Sequence, residues 1–356
     1  MPRNEEYLRV LLISPLPPPA GGIATWTKLY LNSGIVKKNF INIINTSIKG
    51  KRLYNIDKRS IIEEFVRAFK IYYKTRKALK EQYDIIHMNC SCSKFGMIRD
   101  YFCIKAAKND NSKIVVHFHC DTNYMIKDVF NLFLFKKICN TADKIFCLNI
   151  SSYNHVNSIS PDKSIIIPNF IEIEKSYINN DKIIANKIKN IVFVGHVIRS
   201  KGCVDINLIA ERMPDLNFCL IGKVSDEIKH LPKPINLCYL GEISKDQVIE
   251  HMLSGDIFLF PTYTEGFPNV VLEAMACGLP VISTPVGAIP EMIEDFGGKI
   301  IDVGNIDGFI NAIESLQDKK IREKMSIWNR EKVKTHYSLN LVMEKIFKEY
   351  SDIRRL

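Results

Sequence analysis

An α/β protein of two domains is the fold class this chain predicts, and three observations carry that reading. The apolar run of Leu8, Val10, Leu11, Leu12 and Ile13 is nearly continuous, and Ile257–Phe260 is wholly so. Strands of a parallel sheet covered on both faces have this pattern, whereas half-exposed strands alternate. Each run leads into a loop and then a helical pattern, and the series starts afresh at Asn190. The length of 356 residues suits two domains, at about 100–200 residues each.

Composition narrows the class. Hydrophobic residues at 46% and charged residues at 25% are ordinary globular values. A formal charge of +10 permits attraction to nucleic acid, anionic lipid or small anions. The basic residues are scattered, and no helix-turn-helix, zinc-finger or RNA-binding signature occurs, so no nucleic-acid partner is expected. The first apolar run stops at Pro15, too early for a signal peptide. No run approaches the roughly 20 residues of a membrane span. A cytoplasmic protein is therefore expected, with its ten cysteines as reduced, mostly buried thiols.

Taken in order, Tyr7–Ser14 reads as a strand, followed by a Pro-rich loop ending in Gly21-Gly22 and a helix over Ile23–Leu31. This is half a mononucleotide-binding unit, in which Gly22 lets backbone approach a ligand. Residues 40–45 suit a second strand. Lys58–Lys80 has an amphipathic helical pattern with a basic face, fit for solvent or for an anionic membrane. Strands follow at Asp84–Met88 and Lys113–His119, then a helix over Asp128–Cys139 that is apolar on several sides and flanked by Lys136-Lys137. Lys144–Asn149 and Lys163–Ile167 are the last strands of this half. Cys90, Cys92, His117, His119 and Cys120 cluster at two strand ends, but their spacing is not that of paired zinc ligands.

The second half opens with Asn190–Gly195 and continues through strands at Leu216–Gly222 and Ile235–Leu240 and a Ser244-capped helix to Ser254. Two such halves fit two Rossmann-like domains facing a cleft. Val281-Ile-Ser is a further strand, Gly304–Leu316 a strand-to-helix return, and Leu339, Val342, Ile346, Phe347 and Tyr350 mark a final amphipathic helix.

The most informative stretch is Glu265-Gly-Phe-Pro-Asn-Val-Val-Leu-Glu273, followed by Ala-Met-Ala-Cys-Gly278-Leu-Pro280. One carboxylate lies on the loop after a strand, and the other lies within two turns of a helix that Gly278 can close. Ligands of open α/β sheets bind beyond the carboxyl ends of strands. The free N–H groups near Asn269 and Val270 make a phosphate seat. Carboxylates beside it make sense as acceptors for hydroxyls on either side of the phosphates, as in a sugar–diphosphate–ribose ligand.

This stretch resembles the Glu-x7-Glu motif of glycosyltransferase family 4, retaining enzymes of the GT-B fold. The resemblance is specific from about Asn190 to Glu294 and looser before. It implies that Glu265 contacts the transferred sugar, that the loop of Gly266, Phe267, Asn269 and Val270 binds the phosphates, and that Glu273 holds the ribose. It places Gly22 beside donor phosphate and acceptor, and His119, at the carboxyl end of its strand, beside the donor sugar as a catalytic residue with Glu265. The loop Gly195-His-Val-Ile-Arg199-Ser-Lys201-Gly202 matches the family's Gly-Arg…Lys-Gly at Lys201, whereas His196 stands where Arg is expected; Arg199 or His196 is left to replace it. Pro168-Asn169-Phe170 resembles the domain junction, giving domains 1–168 and 169–337 and a helix at 338–356 that returns to the first.

The resemblance implies a hexosyl-type glycosyltransferase without metal or cofactor. The donor would be a UDP- or GDP-sugar. The acceptor hydroxyl would lie on a lipid-linked saccharide of surface polysaccharide synthesis, O-antigen or capsule type, reached from the inner face of the membrane as a peripheral protein. A sugar-nucleotide epimerase or phosphorylase on the same fold, and a non-catalytic partner subunit, are the alternative expectations.

Overall fold

The computed structural model describes residues 7–18, 21–47, 61–108, 112–173 and 182–355. They form two compact units: one from the chain up to Asn169 together with Leu339 onward, the other from Phe170–Ser338. Each is built on a six-stranded sheet, and every strand pair in both is parallel.

The first sheet contains β1 (Arg9–Ser14), β2 (Phe40–Asn45), β3 (Ile85–Cys90), β4 (Lys113–Phe118), β5 (Lys144–Cys147) and β6 (Ser164–Ile166), in the order β2-β1-β3-β4-β5-β6. Both faces are covered, so β3 is buried at every position. The strand order reverses between β1 and β3, which is where doubly wound sheets place ligands. The final helix, Leu339–Arg355, completes this unit: Tyr350 meets His87, Phe347 stacks on Tyr30 at 6.1 Å between ring centroids, and Lys144 pairs with Glu349 at 2.9 Å.

The second sheet contains β7 (Asn190–Val194), β8 (Asn217–Ile221), β9 (Leu237–Gly241), β10 (Ile257–Phe260), β11 (Val281–Ser283) and β12 (Gly298–Ile300), ordered β12-β11-β10-β7-β8-β9. Here the reversal falls between β7 and β10. Ser244 caps its helix through a capping box with Gln247, as the sequence suggests.

Three expectations change. The strand of the 304–316 return lies earlier, at Gly298–Ile300, and the helix runs over Ile306–Ser315. Cys92 and Cys120 are joined as a disulfide, so not all ten cysteines are thiols. The helix expected over 58–80 is described from Ile61 to Ala78, and its first three residues lie outside the described set. It buries only Ile71 and Thr75, whereas Ile62, Phe65, Val66, Phe69 and Tyr73 are exposed. Their spacing is helical, but it marks an outer stripe rather than a core face.

Candidate functional site

The carboxyl ends of β7 and β10 carry the charged residues. After β7 the chain turns through Arg199–Lys201 into the helix Cys203–Arg212. After β10 it runs through Glu265 to the helix Asn269–Ala276. The two loops are stitched together: the Tyr263 N–H donates to the Ser200 carbonyl at 2.9 Å. Glycine permits this approach. Gly202 has φ +74°, and a Cβ there would lie 2.0 Å from the Pro261 carbonyl oxygen.

Lys201 is thereby delivered to Glu265. Its Nζ donates to Glu265 Oε1 at 2.5 Å and to the Thr264 carbonyl at 3.2 Å. Burial raises the Glu265 pKa, with the Lys201 charge opposing the shift. The backbone beneath is clamped. Ala288 N–H donates to the Gly266 carbonyl at 2.9 Å. Gly287, at φ +58°, lies where a Cβ would come within 2.6 Å of the carbonyl oxygens of both Glu265 and Gly266.

Glu273 sits half-buried on the second turn of the helix that follows, and Asn269 and Val270 form its first turn. Asn269 Oδ1 is buried without a hydrogen-bond partner among the described residues. The Phe267 ring is buried in T-shaped contact with Tyr337 at 5.7 Å between centroids. Arg199 does not join Lys201: its Nε donates to Glu227 Oε1 at 2.8 Å on the surface. His196 is exposed on the same loop.

The first unit has a different arrangement at its own reversal point. Gly22 begins the helix Gly22–Asn32, with open space where its Cβ would be. It lines a cavity of about 350 Å³ with Asn89, Ser91, Ser93, Arg67 and Arg99. Arg67 pairs with Glu64 at 2.5 Å, and Arg99 pairs with the buried Asp100 at 2.7 Å. His119 lies one residue past β4, half-buried, and its Nε2 meets Asn89 Oδ1 at 3.0 Å. His117 and His87 are fully buried beside it, and Trp26 packs edge-on against His117 and His119 at 5.3 and 5.2 Å. Burial drives all three imidazoles down, His87 and His119 to about 3 and His117 well below its usual value. They are neutral at physiological pH. The Cys92–Cys120 bond ties together the loops after β3 and β4. Among the described residues, no group of three or more His, Cys, Asp or Glu is arranged to hold a metal ion.

Asn89, Ser14 and Thr27 were not singled out by the sequence, and neither was the Tyr263–Asp205 contact at 3.0 Å. Gly287 stood inside a matched segment, but no signal gave its role.

Comparison with known proteins bears on the family and the fold. Residues 175–332 match the family model "Glycosyl transferases group 1". An uncharacterized glycosyltransferase of Methanocaldococcus jannaschii is 30% identical over 229 residues, 62% of this chain and 63% of that protein. The match thus spans less than two thirds of that relative. The UDP-Gal:alpha-D-GlcNAc-diphosphoundecaprenol alpha-1,3-galactosyltransferase of Escherichia coli is 26% identical, covering 83% of this chain and 81% of that one. Among solved structures, sucrose-phosphate synthase from Thermosynechococcus elongatus superposes with a TM-score of 0.78 at 15% identity, covering 97% of this chain and 99% of the other. That likeness bears out the expected GT-B fold.

Proposed function

We propose, for a chain that belongs to the group 1 glycosyl transferases, a retaining transfer of a sugar from a nucleotide diphosphate to the hydroxyl of a lipid-linked saccharide. The observation that carries this reading is the Lys201–Glu265 pair at the second sheet's reversal point, one loop away from a helix start that bears Glu273 on its second turn.

The hard step places negative charge on the departing diphosphate while the sugar becomes oxocarbenium-like. Lys201 and the first-turn N–H groups of the helix at Asn269 supply fixed positive charge for it. Glu265 accepts hydrogen bonds from sugar hydroxyls, and Glu273 from the ribose. Retention brings the acceptor to the face the diphosphate leaves. The acceptor oxygen bonds to C1 as the C1–O bond to phosphate breaks, and the acceptor proton passes to the departing phosphate oxygen. No metal is required in this scheme, because Lys201 and the helix carry its electrostatic role.

A lipid-linked acceptor is supported by the first unit. The exposed stripe Ile62, Phe65, Val66, Phe69 and Tyr73 lies on a helix that also bears Lys70, Lys74, Arg76 and Lys77. On a second helix, Val129, Phe130 and Phe133 are exposed, with Lys94 and Lys137 ammoniums each 5.6 Å from a Phe ring centroid. Apolar surface set among cations suits an anionic lipid surface. The Escherichia coli relative's name specifies a diphosphoundecaprenol acceptor. No helix among the described residues is long and apolar enough to cross a membrane.

The test is a thermal-shift panel of nucleoside diphosphates and their sugars, followed by transfer to a diphospholipid-linked saccharide and determination of the product anomer. A UDP- or GDP-sugar should raise the melting temperature by mass action. An inverted anomer would remove the retaining assignment. Conversion of the donor with no acceptor present would indicate an epimerase.

A further inference from the structure

We propose that Thr27, Ser14 and Asn89 form a one-way hydrogen-bond chain that fixes the tautomer of His119, so that its Nδ1 presents a lone pair to a sugar hydroxyl. The proposal rests on the reading of His119 as a sugar-facing residue.

The direction follows from counting protons. Thr27 Oγ1 donates to the Ile23 carbonyl at 2.8 Å, one turn back in its own helix. A hydroxyl has one proton, so toward Ser14, at 2.6 Å, Thr27 can only accept. The Ser14 proton is then committed, and Ser14 must accept from Asn89 at 2.7 Å. Only the Asn89 amide nitrogen can donate, which turns Oδ1 to His119 at 3.0 Å. A carbonyl oxygen has no proton to give, so His119 donates through Nε2–H. In a neutral imidazole the other nitrogen is then an acceptor. The ring is neutral because burial and the nearby His87 hold its pKa at about 3. Among the described residues, Nδ1 has no hydrogen-bond partner.

The chain is buried: Ser14 and Thr27 are wholly so and Asn89 is 3% exposed. It crosses the reversal point from the helix after β1, through the end of β1, to β3 and the loop after β4. Running it backwards would forfeit the Thr27–Ile23 bond and leave His119 as an Nδ1–H donor. The forward direction gives the site a chemical preference. An acceptor nitrogen takes an O–H and repels a carboxylate, so at this position the site selects a hydroxyl-bearing sugar over its uronate. Asn89, Ser14 and Thr27 are positioning residues, since they reach the ligand only through His119.

The experiment is long-range proton–nitrogen correlation NMR on the histidine-labelled full chain without substrate, with His119 assigned by the signal lost in His119→Gln. The expected result is a pyrrole-type Nε2 and a pyridine-type Nδ1. In Thr27→Val, a near-isosteric change that removes the terminal donor, His119 should shift toward a mixture of tautomers. Ser14→Ala cuts the same chain one link further on and serves if Thr27→Val does not fold. An Nδ1–H tautomer, an imidazolium at neutral pH, or a His119 pattern unchanged in a folded variant would overturn the proposal. The readout needs no donor, so failure of the transferase reading shows up separately, as no consumption of any nucleotide sugar.

Discussion

The two units share an architecture and differ in how they equip the same place. Each has a six-stranded parallel sheet whose order reverses once, and each gathers its polar side chains at the carboxyl ends of the strands beside that reversal. In the second unit those side chains are an ion pair, Lys201 and Glu265. In the first, the ion pairs Arg67–Glu64 and Arg99–Asp100 lie beside a neutral set: a hydroxyl chain, an amide and three uncharged imidazoles around Trp26. A developing diphosphate charge calls for fixed charge. Orienting a neutral sugar or acceptor hydroxyl calls for lone pairs and protons held in known positions. Under the proposed transfer one sheet plan would serve both, because the strand ends fix backbone positions while the loops supply the chemistry.

The largest effect should come from taking the charge out of the second unit. Lys201→Ala is expected to lower kcat/KM by about 10²–10³, measured as donor consumption at saturating acceptor. A loss under about threefold would mean the pair is structural and would erase the contrast. Glu273→Ala should come next and differ in kind. It should raise the donor KM roughly tenfold or more, the worth of a charged hydrogen bond, with kcat nearly kept. If kcat fell and KM did not, Glu273 would belong with Glu265 rather than with the ribose.

The third prediction separates the units by acid. His87, His117 and His119 have folded pKa values below their unfolded value near 6.5. Full stability is therefore present above that pH and is lost as pH falls toward about 3, the value held by His87 and His119. Each imidazole costs roughly 1.4 kcal/mol per pH unit within that window. Glu265 has the opposite sign: its raised pKa means that its contribution is lost as pH rises. Hydrogen exchange at pH 7 and pH 5, corrected for intrinsic rates, should show first-unit amides losing protection ahead of second-unit amides. Equal loss in both would contradict the neutral-core account. A smaller effect is expected at the lipid surface. Lys136→Glu with Lys137→Glu should weaken flotation with anionic vesicles by about fivefold per charge, from roughly 1 kcal/mol per lysine, and high salt should mimic it. Salt-insensitive flotation, or none, would remove the membrane role from the first unit. The smallest expected effect is none: activity should persist in a strong chelator. Loss that manganese or zinc restores would show that Lys201 does not act alone.

The contrast also explains what the sequence disclosed. Strands were legible because burial on both faces leaves unbroken apolar runs; Ile257–Phe260 and Val281–Ser283 fall where those runs do. Part of the charged site was legible because it is local: Glu265, Asn269 and Glu273 are held by one loop and one helix, whereas Lys201, 64 residues from Glu265, stood out only through a second motif. In the neutral site Gly22 and His119 stood out, but the chain that holds His119 did not. Ser14 and Asn89 are 75 residues apart, and only the adjacency of β1 and β3 joins them. The helix Lys94–Ala107 escaped notice because it buries Arg99 and Asp100 along with Met97 and Cys103, which blurs the apolar period. Periodicity located the stripe at Phe65 and Phe69 but could not say that solvent, rather than core, lies against it.

The last helix has a consequence in time. His87 and Tyr350 touch across 263 residues of chain. During synthesis, the first sheet is complete at Ile166, yet the side chains that close its core arrive only with residues 339–355. The contiguous second unit has all its residues before then. The half made first is therefore the half finished last, and in the interval its buried aromatic face at Tyr30 and His87 stays uncovered. Such a wait exposes apolar surface to misassembly, and it makes the arrival of residues 339–355, rather than the length of either unit, the event that completes the first unit.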